Sequence, residues 1–266
     1  MKAPARTHSA RSCLTIIGAL TGLLALCFAL VGCANGSAPS ASSTLTTAAG
    51  GGSTSFRVVS FTTEDGLKLS GRLYGTGGSA VLLCHMYPAD QTSWEARAQT
   101  LAQNGFLAMT FDFRGYGQSQ GQKDIQYLDR DVTAAVQFLR ELGAQEVVLV
   151  GASMGGTACL KAAAELQTLS SIRLAGVVTF SAPVEFKGLS AQDAVPAIQV
   201  PMMFVAAQGD VGAQGARTLE QLSGHHGDLE ILPGSDHGTN LFKGSQAAAA
   251  AQLLLDFVQQ NLSGGS

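Results

Sequence analysis

The chain has 266 residues, 46% apolar and 13% charged, with a formal charge of −3. That is enough apolar material for one well-covered domain of ordinary size. A mildly acidic chain with no Lys/Arg clusters is a poor partner for nucleic acid, and no basic run suggests binding to lipid headgroups.

The N-terminus reads as a processing segment. Lys2, Arg6 and Arg11 precede an almost unbroken apolar stretch over residues 14–31, which ends in Leu30-Val31-Gly32-Cys33. Basic, apolar and small residues in that order fit a secretory signal, although the apolar stretch also approaches the length that spans a bilayer. The leucine and small residues before Cys33 resemble a bacterial lipoprotein signal peptide. The resemblance implies that residues 1–32 are removed and that Cys33 carries the lipid. The protein would then be anchored to a membrane of the cell envelope, facing outside the cytoplasm. Residues 33–55 are rich in Ser, Thr, Ala and Gly and are expected to form a flexible tether. Of the five cysteines, Cys13 and Cys27 leave with the signal. Cys84 and Cys159 stay in the domain, where apolar surroundings point to buried free thiols although export permits a bridge. No Cys-x-x-Cys or Cys/His cluster points to a metal.

Residues 56–262 read as the folded domain. Alternating residues over 55–61 and 67–74, around Glu64-Asp65-Gly66, predict a hairpin. The apolar run 80–84 predicts a strand covered on both faces. A helix is expected over 94–104, stopped by Gly105, then a strand over 106–113 and a helix over 128–142, stopped by Gly143. A strand over 146–150 leads to a helix over 155–169. Further strands are expected at 174–180, 202–207 and 229–232, with a short helix at 217–222. A final alanine-rich helix spans 246–261. Strands alternating with helices imply an α/β architecture: a mostly parallel central sheet with helices on both faces and an N-terminal antiparallel hairpin. About 14 residues separate the strand near residues 180–186 from the next at Pro201, too few for a large lid.

The most informative segment is Gly151-Ala152-Ser153-Met154-Gly155. It closes an apolar strand and opens a helix, the context of a nucleophile elbow that exposes a serine hydroxyl. The glycines suit a crowded turn. Gly117-Gln118-Ser119-Gln120-Gly121 fits the same pattern, but it follows no apolar strand and opens no helix, so Ser119 reads as loop.

A serine hydroxyl becomes a useful nucleophile only with a base in reach and a partner orienting that base. The order of elements resembles the α/β-hydrolase fold superfamily over residues 56–262, in particular its small lidless esterases such as dienelactone-hydrolase-like members. The resemblance implies the chain order Ser, Asp/Glu, His, here Ser153, Asp210 and His237. Asp210 lies just past the tip of the buried strand at 202–207 and is preferred to Glu185 and Asp193. His237 lies between the last strand and last helix, whereas His225 and His226 read as surface residues. By the same resemblance the oxyanion donors are the backbone amides of Met154 and of Tyr87, in Cys84-His85-Met86-Tyr87-Pro88, where Met86 replaces the family's glycine. His85 is expected to brace that loop. Asp112 and Arg114, in Asp112-Phe113-Arg114-Gly115-Tyr116-Gly117, are expected to pair with each other beside the site. Tyr87, Trp94 and Tyr116 are candidates for an acyl pocket or for ordinary packing.

The implied activity is hydrolysis of small-molecule carboxylic esters through an acyl-enzyme on Ser153, with no metal or organic cofactor. Peptide or amide hydrolysis, acyl transfer, and a non-catalytic surface-anchored binding protein are the alternatives.

Overall fold

The computed structural model describes residues 44–46, 55–168 and 171–263. The signal segment and Cys33 lie outside the described residues. Among the described residues no helix is long and apolar enough to cross a membrane.

Nine strands form one sheet in the order β1-β2-β3-β5-β4-β6-β7-β10-β11. The predicted hairpin is β2 (Phe56–Thr62) and β3 (Lys68–Tyr74). β1 (Thr44–Thr46) pairs antiparallel with β2, a strand where only tether was expected. β3 pairs antiparallel with β5 (Leu107–Phe111). From there β4 (Ser79–Cys84), β6 (Glu146–Ala152), β7 (Arg173–Phe180), β10 (Met202–Ala207) and β11 (Gly227–Leu232) continue in parallel.

Strand side chains alternate between faces, so each apolar run feeds two cores. Leu82, Leu149 and Phe204 pack on one face with helices α2 (Leu128–Glu141), α3 (Met154–Leu166) and α4 (Ala213–Ser223). Leu83, Val150 and Val205 pack on the other with α1 (Glu95–Gln103) and α5 (Ala247–Asn261). This double coverage explains why the runs 80–84, 147–150 and 202–207 are continuously apolar rather than alternating. Fully burying one such side chain contributes about 1.5–3 kcal/mol. Cys84 and Cys159 are buried free thiols. Burial, with Cys159 beside it, raises the Cys84 thiol well above its ordinary value.

Three local differences from the sequence reading have identifiable causes. Helix α1 is preceded by a 3-10 turn, Gln91–Trp94, because the Asp90 side chain caps Thr92 N–H at 2.9 Å. Helix α4 starts four residues earlier than expected. Gly215 marks close packing rather than a break, since a Cβ there would fall 2.5 Å from Ala182 O. The residues between β7 and β10 include a small antiparallel hairpin, β8 (Glu185–Phe186) and β9 (Leu189–Ser190), whose strands are too short to show a period. That hairpin and a 3-10 turn at Val195–Ala197 stand where a lid would be inserted, so no large lid is present among the described residues.

Candidate active site

The C-terminal ends of parallel strands form one edge of the sheet, the edge at which α/β folds bind ligands. Ser153 lies there between the end of β6 and the first residue of α3. Its backbone is at φ 47° and ψ −119°, a left-handed conformation costing a non-glycine residue about 1–3 kcal/mol. Hydrogen bonds on both sides hold it there. Ser153 N–H donates to Phe180 O at 2.8 Å, and its carbonyl accepts from Gly156 N–H at 2.9 Å and Thr157 N–H at 3.2 Å. The surrounding glycines are steric necessities: a Cβ on Gly155 would stand 2.5 Å from Cys84 O, and one on Gly151 would stand 2.4 Å from Gly155 O.

Asp210 follows β10 and His237 follows β11. Their loops are joined by Gln208 N–H to Leu232 O and Gly209 N–H to Gly234 O, both 2.8 Å. His237 Nδ1 lies 2.8 Å from Asp210 Oδ1. The carboxylate is nearly buried, with its side chain 2% exposed, while the imidazole is 33% exposed. The partnership of Nδ1 with an acceptor assigns a proton to that nitrogen and leaves Nε2 free to accept one. Glu185 and Asp193, the rival acids, are exposed, as are His225 and His226.

The His237 loop reaches the elbow through its next residue. Gly238 N–H donates to Ser181 Oγ at 3.0 Å, and a Cβ on Gly238 would be 3.5 Å from the Cβ of Ala152, which immediately precedes Ser153. Asp210 and His237 are therefore joined directly, and Ser153 adjoins their loop. The Ser153 hydroxyl itself makes no hydrogen bond among the described residues.

The Cys84–Pro88 loop closes the site from β4. His85 is buried between the rings of Phe113 and Tyr116, each 5.0 Å away. Its Nε2 accepts Phe113 N–H at 3.1 Å, so Nδ1 carries the proton and donates to Met86 O at 3.0 Å. Burial lowers its pKa, which keeps the ring neutral in this bracing role. Met86 turns toward the His237 loop, where its Sδ accepts from Thr239 Oγ1 at 3.6 Å. The backbone N–H groups of Tyr87 and Met154 have no acceptor among the described residues. Tyr116 donates to Met154 Sδ at 3.7 Å, and burial pushes its hydroxyl up to about 12, so it stays a neutral phenol.

Ser119, the competing motif serine, is engaged in the fold: it accepts Ser70 N–H at 2.9 Å and donates to Asp112 O at 2.5 Å. Trp94 is fully buried, with Nε1 donating to Cys84 O at 2.9 Å, and is packing rather than pocket. The expected Asp112–Arg114 pair does not form. Asp112 accepts Gln91 N–H, Gln91 Nε2 and Gln118 N–H, at 2.9, 2.9 and 3.0 Å. Arg114 instead binds Asp131 of α2 and Asp65 of the β2–β3 turn. The two side chains are neighbours in an irregular loop, where alternate residues point to different elements. Among the described residues no group of three His, Cys, Asp or Glu side chains is placed to hold a metal ion.

A model of the alpha/beta hydrolase fold matches residues 79–227. The chain belongs to the α/β-hydrolase fold family. Relatives of this family include bifunctional epoxide hydrolase 2 from Sus scrofa, 37% identical over 81 residues, which are 30% of this chain and 15% of that protein. The chain thus spans only a small part of that relative. Protein ABHD14A from Danio rerio is 29% identical over 184 residues, covering 68% of this chain and 64% of its own. Among solved α/β-hydrolase structures, an esterase from Pyrococcus furiosus superposes with a TM-score of 0.67 at 18% identity, covering 78% of this chain and 91% of its own.

Proposed function

We propose that this protein is a serine hydrolase of carboxylic esters, working outside the cytoplasm on a lipid tether at Cys33. The observation that carries the reading is a serine on a strained strand-to-helix turn, at the sheet edge where an Asp210–His237 pair presents a free Nε2. In this reading His237 takes the Ser153 proton as the hydroxyl attacks an acyl carbonyl, and Asp210 steadies the charged imidazole. Met154 and Tyr87 amides receive the oxyanion; preformed donors of this kind each contribute about 2.7–4 kcal/mol to the barrier reduction. His237 then protonates the leaving alcohol, and water repeats the sequence on the acyl-enzyme.

Likeness to an epoxide hydrolase suggests ring opening as another activity, but the elbow residue argues against it. A serine that opened an epoxide would become an alkyl ether, which has no carbonyl for water to attack. Attack on an acyl carbonyl leaves an ester, which the same machinery can cleave. Esters are favoured over amides because an alkoxide asks less of the acid step than an amine does.

A fluorophosphonate probe tests this reading. The exported protein is expected to be labelled one-to-one. Ser153→Ala should abolish the label and Ser119→Ala should retain it. Folded protein that resists labelling would point instead to a surface-anchored binding protein.

The tether has its own test. Cys33→Ser is expected to shift the exported protein from the membrane fraction to the soluble fraction, since an acyl chain contributes about 0.8 kcal/mol per buried CH₂. Fractionation unchanged by the substitution would remove the lipid from the proposal.

A further inference from the structure

An aromatic strip runs from the elbow to the β8–β9 hairpin. Tyr116 touches Met154 through its hydroxyl, its ring centroid is 6.5 Å from that of Tyr87, and Tyr87 is 5.7 Å from Phe186 on β8. Tyr116 is 3% exposed and forms the buried base of the strip, whereas Tyr87 is 41% exposed and Phe186 half-buried, so the outer part faces solvent beside the catalytic edge. Two ammonium groups sit on it. Lys187 Nζ is 4.3 Å from the Tyr87 centroid and 5.5 Å from that of Phe186, and Lys123 Nζ is 4.5 Å from that of Tyr116. Rings hold the cations by their faces and leave ammonium hydrogens to donate elsewhere.

Neither lysine pairs with a carboxylate among the described residues. The acids next to them in the chain, Asp124 and Glu185, are exposed and form no ion pair with either lysine. Lys187 is also held at φ 50°, followed by Gly188 at φ 85°, in a two-residue turn. Turns with two positive φ values favour Asn, Asp or Gly. A lysine there bears backbone strain at the tip of the one hairpin that overhangs the oxyanion loop, the kind of outlier that accumulates at functional sites.

Building on the ester-hydrolase reading, we infer that Lys123 and Lys187 recognise a carboxylate on the acyl chain of the substrate. The preferred substrates are then monoesters of dicarboxylic acids. Tyr87 and Phe186, the accessible part of the strip, cover the methylene chain between the scissile carbonyl at Ser153 and the anionic end. In a chain of net negative charge, two cations without an ion-pair partner among the described residues also steer anions toward the site.

Monomethyl adipate and methyl hexanoate differ chiefly in that terminal carboxylate, and methanol release reports turnover of either. The wild-type protein is expected to favour the monoester in kcat/KM. Lys123→Met/Lys187→Met should lower the monoester-to-hexanoate ratio about tenfold, the scale of two partly exposed ion pairs. Raising the ionic strength to about 1 M, where the screening length is roughly 3 Å, should lower it likewise. A ratio unchanged by both, or equal slowing of both esters, overturns the inference while leaving ester hydrolysis standing. Calorimetric binding of monomethyl adipate to Ser153→Ala protein separates the two readings. Lysine-dependent binding without any wild-type turnover would reject the hydrolase and keep the anion site, whereas binding indifferent to both lysines would reject the anion site.

Discussion

Ser153→Ala is expected to lower kcat for ester hydrolysis by roughly ten-thousand- to a million-fold, with KM changed only a few-fold. The size follows from how the parts act together. In the proposed mechanism, without the hydroxyl His237 has no proton to take and no acyl-enzyme can form, yet the oxyanion amides and the binding surface remain. His237→Ala should cost about as much, and the double variant little more, because members of one catalytic unit are strongly non-additive. Ser119→Ala is the internal control. Its hydroxyl bridges Ser70 N–H and Asp112 O, so its loss should be felt as about 1 kcal/mol of stability and hardly at all in kcat. Steady-state kinetics at saturating ester with the three single variants decides the matter, and a comparable collapse at Ser119 would overturn the choice of elbow.

Much of the architecture was legible because two periodicities were strong. The runs in β4, β6 and β10 are buried on both faces, which leaves a continuous apolar signature, and their spacing by helical segments implied parallel pairing. The two Gly-x-Ser-x-Gly segments differ in context as their flanking sequence suggested: Ser153 joins β6 to α3, while Ser119 joins neither strand nor helix. What escaped the sequence were relations that no local pattern encodes. Asp112 and Arg114 are two residues apart and opposite in charge, yet one binds Gln91 and the other Asp131 and Asp65. The choice depends on which way a loop turns. The β8–β9 hairpin, with strands of two residues each, is too short for alternation to register. Trp94 offered a large amphipathic ring that suits a pocket or a core equally until its Nε1 is seen bonded to Cys84 O.

The mispredicted arginine supplies the largest expected effect on stability. Arg114 is 2% exposed and Asp131 fully buried in their side chains. Arg114 Nε and Nη2 donate to Asp131 Oδ1 at 2.8 and 2.6 Å, Arg114 N–H donates to Oδ2 at 2.9 Å, and Nη1 reaches Asp65 at 2.9 Å. Burial raises the Asp131 carboxyl above its ordinary value, against the pull of Arg114, so removing Arg114 leaves that group without its compensation. Arg114→Ala or Asp131→Ala should each lower the free energy of unfolding by about 3–5 kcal/mol, a substantial part of the ~5–15 kcal/mol typical of a folded protein. The double replacement Arg114→Met/Asp131→Leu should recover part of that loss, because two apolar side chains of similar size need no charge compensation, although the Arg114 N–H then loses its Asp131 acceptor. Urea titration measures this as a fall and recovery of the midpoint at constant slope. Single variants within about 1 kcal/mol of the parent would show that the pair is dispensable. The consequence should also reach turnover. The loop that Arg114 anchors supplies the Phe113 N–H held by His85 Nε2, and His85 in turn holds Met86, one residue from the Tyr87 amide. A loosened Arg114 should thus slow the reaction through the oxyanion loop even below the midpoint of unfolding, whereas the apolar double variant should partly restore stability and rate together.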